Sequence, residues 1–74
     1  MDNNDRLEWI RKMLAEGKTI YIGTHTRITK ITPKVAARFA SAGIELFRVD
    51  SAGHLLMAQG RQYVSIDYCA LRAA

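Results

Sequence analysis

The side chains in this sequence that are able to act as nucleophiles, general bases or metal ligands are few and scattered. His25, His54 and Cys69 are its only residues of the types that usually ligate transition metals. They stand alone, without the paired close spacing of a zinc site, and read as ordinary surface or strand residues. No metal and no cofactor is therefore expected. A Cys69/His54 nucleophilic pair is conceivable, since such constellations are defined by geometry rather than by sequence order. The neighbours of Cys69, however, are Tyr68, Ala70 and Leu71, a setting that suits an inert packed thiol.

The carboxylates are Asp2, Asp5, Glu8, Glu16, Glu45, Asp50 and Asp67. Asp5 and Glu8 have the spacing of a helix capping box, Asp50 opens a turn, and Asp67 is placed to cap a last helical turn. No pair is left that is set aside for general acid–base work. Neither GxxxxGK[ST] nor GxGxxG occurs, so no phosphate-cradling loop of those kinds is signalled. The expectation is a protein that binds rather than catalyses.

Charge is the feature that departs from a bland domain. No Asp or Glu occurs between Gly17 and Ile44, while that span holds Lys18, Arg27, Lys30, Lys34 and Arg38, a net +5. The rest of the chain nets −1, so the overall +4 comes from one continuous segment. Such asymmetry is an argument about partners, not about fold. Lys34 and Arg38 stand four apart near the start of a helix, where the macrodipole already disfavours cations. A helix N-terminus surrounded by basic side chains is suited to anions. Arg27 and Lys30, with the hydroxyls of Thr29 and Thr32, complete a set of donors for phosphate oxygens of the kind that position proteins on nucleic acid. The alternative is that these charges simply solvate a helix and a loop.

The elements that must position these residues are well signposted. Residues 6–16 read as a helix, with Leu7, Ile10 and Leu14 at helical spacing and Gly17 as its terminator. Residues 18–23 read as a β-branched strand, and residues 24–31 as either a strand or an extended loop. Thr32 as N-cap and Pro33 at the first position start a helix over residues 33–42. Val35, Phe39 and Ala42 form its apolar stripe, and Gly43 ends it, with Ile44 folding back on Phe39. Residues 44–49, 54–58 and 62–66 read as strands joined by turns too short for parallel crossovers, hence an antiparallel meander. Residues 68–71 read as a final helical turn.

The order α-β-α-β-β-β predicts one α+β domain over residues 1–74, a small antiparallel sheet with two helices packed on one face. At 74 residues such a domain buries only about 60% of its unfolded surface. With a single cysteine no intrachain disulfide can reinforce it, which favours tight packing or a homodimer and points to a reducing, cytoplasmic setting. The acidic, polar start does not resemble a secretory signal, and no apolar run is long enough to span a membrane. The function expected is a small basic accessory or regulatory protein that binds nucleic acid. The alternative is a protein-interaction module or small inhibitor docking its basic face on an acidic protein.

Overall fold

The computed structural model describes residues 2–74. Helix α1 spans Asn3–Ala15 and is capped by Asp2, whose carboxylate accepts a hydrogen bond from the Asp5 N–H at 2.8 Å. The helix thus starts earlier than an Asp5–Glu8 capping box predicts. Asp2 offers the same acceptor chemistry three residues sooner, and Asp5 becomes a first-turn carboxylate favourable to the helix dipole. At the other end Lys18 N–H bonds to Met13 O and Gly17 N–H to Leu14 O, both at 3.0 Å, with Gly17 at φ +84°. This is a Schellman cap.

Helix α2 spans Pro33–Ser41, capped by the Thr32 hydroxyl accepting from the Val35 N–H at 3.2 Å. It ends in the same way, with Ile44 N–H on Phe39 O and Gly43 N–H on Ala40 O. The two Schellman caps consume Lys18 and Ile44. That is why the strands predicted to begin there start later, β1 at Ile20–Gly23 and β3 at Phe47–Val49. Val35, Ala36 and Phe39 pack against the core, whereas Ala42, the C-cap, is exposed.

The α+β class, the two helices and the C-terminal meander are present as expected. Strands β3, β4 (Leu55–Gln59) and β5 (Gln62–Ser65) form one antiparallel sheet in the order β3-β4-β5. The undecided segment resolves into a four-residue turn and strand β2 (Ile28–Ile31), which pairs with β1 as a hairpin. The predicted helical turn at residues 68–71 is instead the approach to strand β6 (Ala70–Ala73), which pairs with the other edge of β1. The order β2-β1-β6 makes a second three-stranded sheet around the N-terminal strand. The Asp67 carboxylate is not free to cap a helix, because it accepts from the Leu55 N–H and the Asn3 amide.

Helix α1 touches β1 of one sheet, β3 and β4 of the other, and α2. A single core results, with Leu7 and Ile10 from α1, Ile20, Ile22 and Ile31 from one sheet, and Phe47, Leu55 and Met57 from the other, closed by Leu46 and Ile66. Ile10, Ile20 and Leu55 are fully enclosed. Truncating a buried leucine costs roughly 2–5 kcal/mol, comparable with the roughly 3–5 kcal/mol that a core of this size supplies. Leu55→Ala should therefore leave the chain largely unfolded by circular dichroism at 25 °C. Leu55→Ile, which keeps the volume, should retain a cooperative thermal transition.

Candidate nucleic-acid interface

Because β1 alternates, Ile20 and Ile22 enter the core while Thr19, Tyr21 and Gly23 face outward. Pairing on both sides fixes what stands beside them. Tyr21 is opposite Lys30 on β2 and Arg72 on β6, and Gly23 is opposite Ile28 and Ala70. One outward row therefore reads Lys30–Tyr21–Arg72 and the next Ile28–Gly23–Ala70. Side chains directly opposite one another across antiparallel strands lie about 4.5–5.5 Å apart at Cβ, so Lys30 and Arg72 take the two positions next to Tyr21. None of the three strands carries a carboxylate.

The face is dented rather than flat. A hollow of about 230 Å³ lies over Gly23 and Ala70, walled by Tyr21, Ile28 and Arg72. Another of about 390 Å³ lies on the far side of the Tyr21–Arg72 pair, against Ala73 and Ala74. A third of about 380 Å³ continues from Gly23 and Ala70 past Thr24 to His25 and Tyr68. Tyr68 is completely exposed, and Ile28 is 64% exposed.

The six residues expected to contact an anionic partner divide in the structure. Lys30 lies in the central row, and Arg27 in the β1–β2 turn, where its N–H is held by the Thr24 hydroxyl at 3.3 Å. Lys34 and Arg38 are exposed on α2. Thr29 stands on the core side of its strand, opposite Ile22, and the Thr32 hydroxyl is engaged in capping α2. These two hydroxyls belong to the fold rather than to the basic face. Sequence reasoning missed Arg72, because it placed residues 68–71 in a helical turn. The alternation Ala70-Leu71-Arg72-Ala73 was the available signal, but four residues are too few to separate a strand from a turn.

The exposed lysines and arginines of this region form no ion pair among the described residues, where the ion pairs are Arg11–Glu45 at 3.7 Å and His54–Asp67 at 2.7 Å. The second of these anchors a polar cluster away from the sheet face. Asp67 accepts from the Leu55 N–H at 2.7 Å and from the Asn3 amide at 2.8 Å, and His54 Nδ1 meets its other oxygen. Arg6 donates to the Asn3 side chain and to the backbone carbonyls of Asp67 and Cys69. His54 is thus turned to Asp67, and Cys69 is a half-buried free thiol packed against the core. Among the described residues no group of three His, Cys, Asp or Glu side chains is placed to hold a metal ion.

No protein-family model, curated protein or solved structure matches the chain.

The hydrogen bond to Asp67, helped by the charges of Asp50 and Asp67, raises the pKa of His54 above its ordinary value. The same bond, with the Leu55 N–H, holds Asp67 below the usual carboxylate value. A raised histidine stabilises the fold fully below its unfolded pKa of about 6.5, and that contribution is lost as pH rises through the folded value. A depressed aspartate contributes above its unfolded pKa of about 3.9, and that contribution is lost as pH falls through the folded value. The pair is therefore strongest between roughly pH 4 and 6.5. Raising the pH from 6 to 9 should lower the thermal midpoint of the wild-type chain. His54→Gln should flatten that dependence, and an unchanged slope in the variant would assign it to other groups.

Proposed function

We propose that this protein is a small non-enzymatic binding protein that takes nucleic acid, in an accessory or regulatory role, through a basic face whose strands carry no Asp or Glu. The observation that carries the reading is the distribution of unpaired cations. Lys18, Arg27, Lys30, Lys34, Arg38 and Arg72 are all exposed, and none is neutralised by a carboxylate among the described residues. Three of them surround the open side of one small sheet or its turn, and two more line the helix that follows it. Cations that are left unpaired and flanked by other cations repel one another, a cost relieved by a polyanion. Phosphate contacts supply such relief by releasing counterions from the nucleic acid.

A protein partner is the second reading, and a separate feature favours it. A shallow apolar hollow of about 390 Å³ lies between the helices, lined by Leu14, Ala36, Ala40, Ile44 and Phe47 and rimmed by the Arg11–Glu45 pair. Ile44 is 47% exposed there. An acidic protein would meet the basic face by the same steering that draws in nucleic acid. Affinity isolation before and after nuclease treatment separates the two readings. A stoichiometric protein that survives nuclease would support the second.

For nucleic acid the expected signature is quantitative. Five phosphate contacts give a slope of log K against log salt of about −3.5 on a single strand and about −4.5 on a duplex. Fluorescence anisotropy with labelled oligonucleotides across about 30–300 mM salt, a range chosen to span a decade, measures it. Lys34→Glu combined with Arg38→Glu should weaken binding at low salt and shallow the slope by about two contacts. No binding at low salt would overturn the proposal.

A further inference from the structure

We infer that the ligand of the β2-β1-β6 face is a single strand of nucleic acid, with bases laid against Tyr21 and Tyr68 and over the floor formed by Gly23 and Ala70. The inference rests on the nucleic-acid reading above and deepens it by naming the form of the ligand.

Three independent features of this face point the same way. The first is Gly23. The other four glycines, Gly17, Gly43, Gly53 and Gly60, all sit at positive φ, where only glycine is at ease. Gly23 has ordinary strand geometry, and a Cβ there would lie 3.9 Å from the Ala70 Cβ and carbonyl oxygen, an ordinary contact. Neither backbone nor neighbour requires a glycine, while glycine inside a strand forfeits packing and entropy. What its bareness provides is an open floor beneath two of the three hollows.

The second feature is the availability of the aromatic rings. Tyr63, the outward tyrosine of the other sheet, is occupied: its hydroxyl donates to Glu45 O at 2.6 Å, and the Arg48 guanidinium lies over its ring at 5.3 Å. The Tyr21 and Tyr68 hydroxyls make no hydrogen bond among the described residues. Tyr21 stands between two cations, and Tyr68 projects fully into solvent at the end of the same groove. Tyr21 is half-buried, whereas exposing Tyr68 forgoes the burial that makes aromatics valuable in a small core. Stacked bases would restore it, with little dependence on sequence.

The third feature is the order of the parts along the strands. From the chain terminus outward, the hollow at Ala73–Ala74, the Tyr21–Arg72 pair, the Gly23–Ala70 floor and the Tyr68–His25 end follow one another along β1 and β6. Lys30 and Arg27 border this track on the β2 side, and Arg72 stands within it on β6. Apolar hollows between rings, with cations at the margins, match unpaired bases with phosphates outside. A duplex keeps its bases stacked internally and offers the sheet only its charged rim, so it gains nothing from the rings or the floor.

The test measures affinity for a labelled 12-nucleotide thymidine oligomer, chosen within the site sizes of roughly 4–16 nucleotides typical of single-strand modules, and for a mixed-sequence duplex of equal length. The single strand should bind at least about tenfold more tightly, given stacking gains per base of this order. Tyr21→Val and Tyr68→Ser should each weaken single-strand binding by roughly five- to a hundredfold with an unchanged salt slope, and Tyr21→Phe should restore it. Gly23→Val should block the floor in the same manner. Because Tyr68 is fully exposed, its variant cannot be dismissed as unfolded. Equal affinity for duplex and single strand, with Tyr21→Val and Tyr68→Ser behaving as wild type, overturns the single-strand inference and leaves phosphate binding standing. Absence of binding to either oligomer at low salt overturns both.

Discussion

The carboxylate of Asp67 and the guanidinium of Arg6 decide where the last strand of this chain goes. Asp67 lies between β5 and β6, and its oxygens receive the Leu55 N–H from the start of β4, the Asn3 amide from the start of α1 and the His54 ring. Arg6 grips the backbone carbonyls of Asp67 and Cys69 from the same helix. Together they pin the exit from one sheet to the helix that bridges both, and so aim Ala70–Ala73 at the free edge of β1. Without β6, β1 and β2 would be a two-stranded hairpin, which is marginal in water by itself. The hairpin gains its third strand, and Tyr21 its second flanking cation, through a charge network built elsewhere in the fold. Charge-assisted bonds to backbone groups are well suited to this task, being short and directional.

A second constraint follows from size. One helix, α1, must cover the inner faces of both sheets, and it does so with Leu7 and Ile10 at the centre of the shared core. Helix α2 packs on α1 and the core, and among the described residues there is no further helix to cover the opposite face of β2-β1-β6. That face is therefore wet, and ordinary antiparallel sheets fill such a face with polar side chains. Here it carries Tyr21, Gly23, Ile28 and Ala70 instead, with cations only at the flanks. Apolar and small residues on an uncovered face give the isolated domain no packing. Their presence is what motivates the proposal of a ligand for this face.

The parts of the fold that were legible in the sequence are those governed by local rules. Thr32-Pro33 announced α2, and Gly17 and Gly43 announced both helix ends, because caps depend on a few adjacent residues. The Asp50–Gly53 turn was legible for the same reason: its carboxylate accepts from the N–H groups of Ala52 and His54. What escaped was non-local. Asp67 looks in sequence like a helix cap and is in fact a partner to residues 12 and 64 positions away. Arg72 looked like one cation among acid-balanced neighbours until β6 brought it beside Tyr21. The basic segment from Lys18 to Arg38 was visible as a charge asymmetry. Its division into a sheet face, a turn and a helix was not, since pairing register decides which residues share a side. Thr29 shows how sharp that division is: one position from Lys30, it points to the core.

Charge and aromatic surface do different work on this face, and the structure keeps them separable. In the proposed complex the cations would act at a distance and set how readily a polyanion arrives, an effect that salt screens within a Debye length of about 8–10 Å. The rings and the bare floor act only on contact, and salt leaves them nearly untouched. Lys34 and Arg38 lie on α2, outside the sheet, so in the proposed complex they would contribute to the field and to flanking phosphates. Lys30 and Arg72 stand opposite Tyr21 in register and would serve mainly the phosphates beside any base laid there. A merely solvated surface would need neither the order of these residues along β1 and β6 nor an unforced glycine among them. That combination turns a basic segment into a groove with a direction.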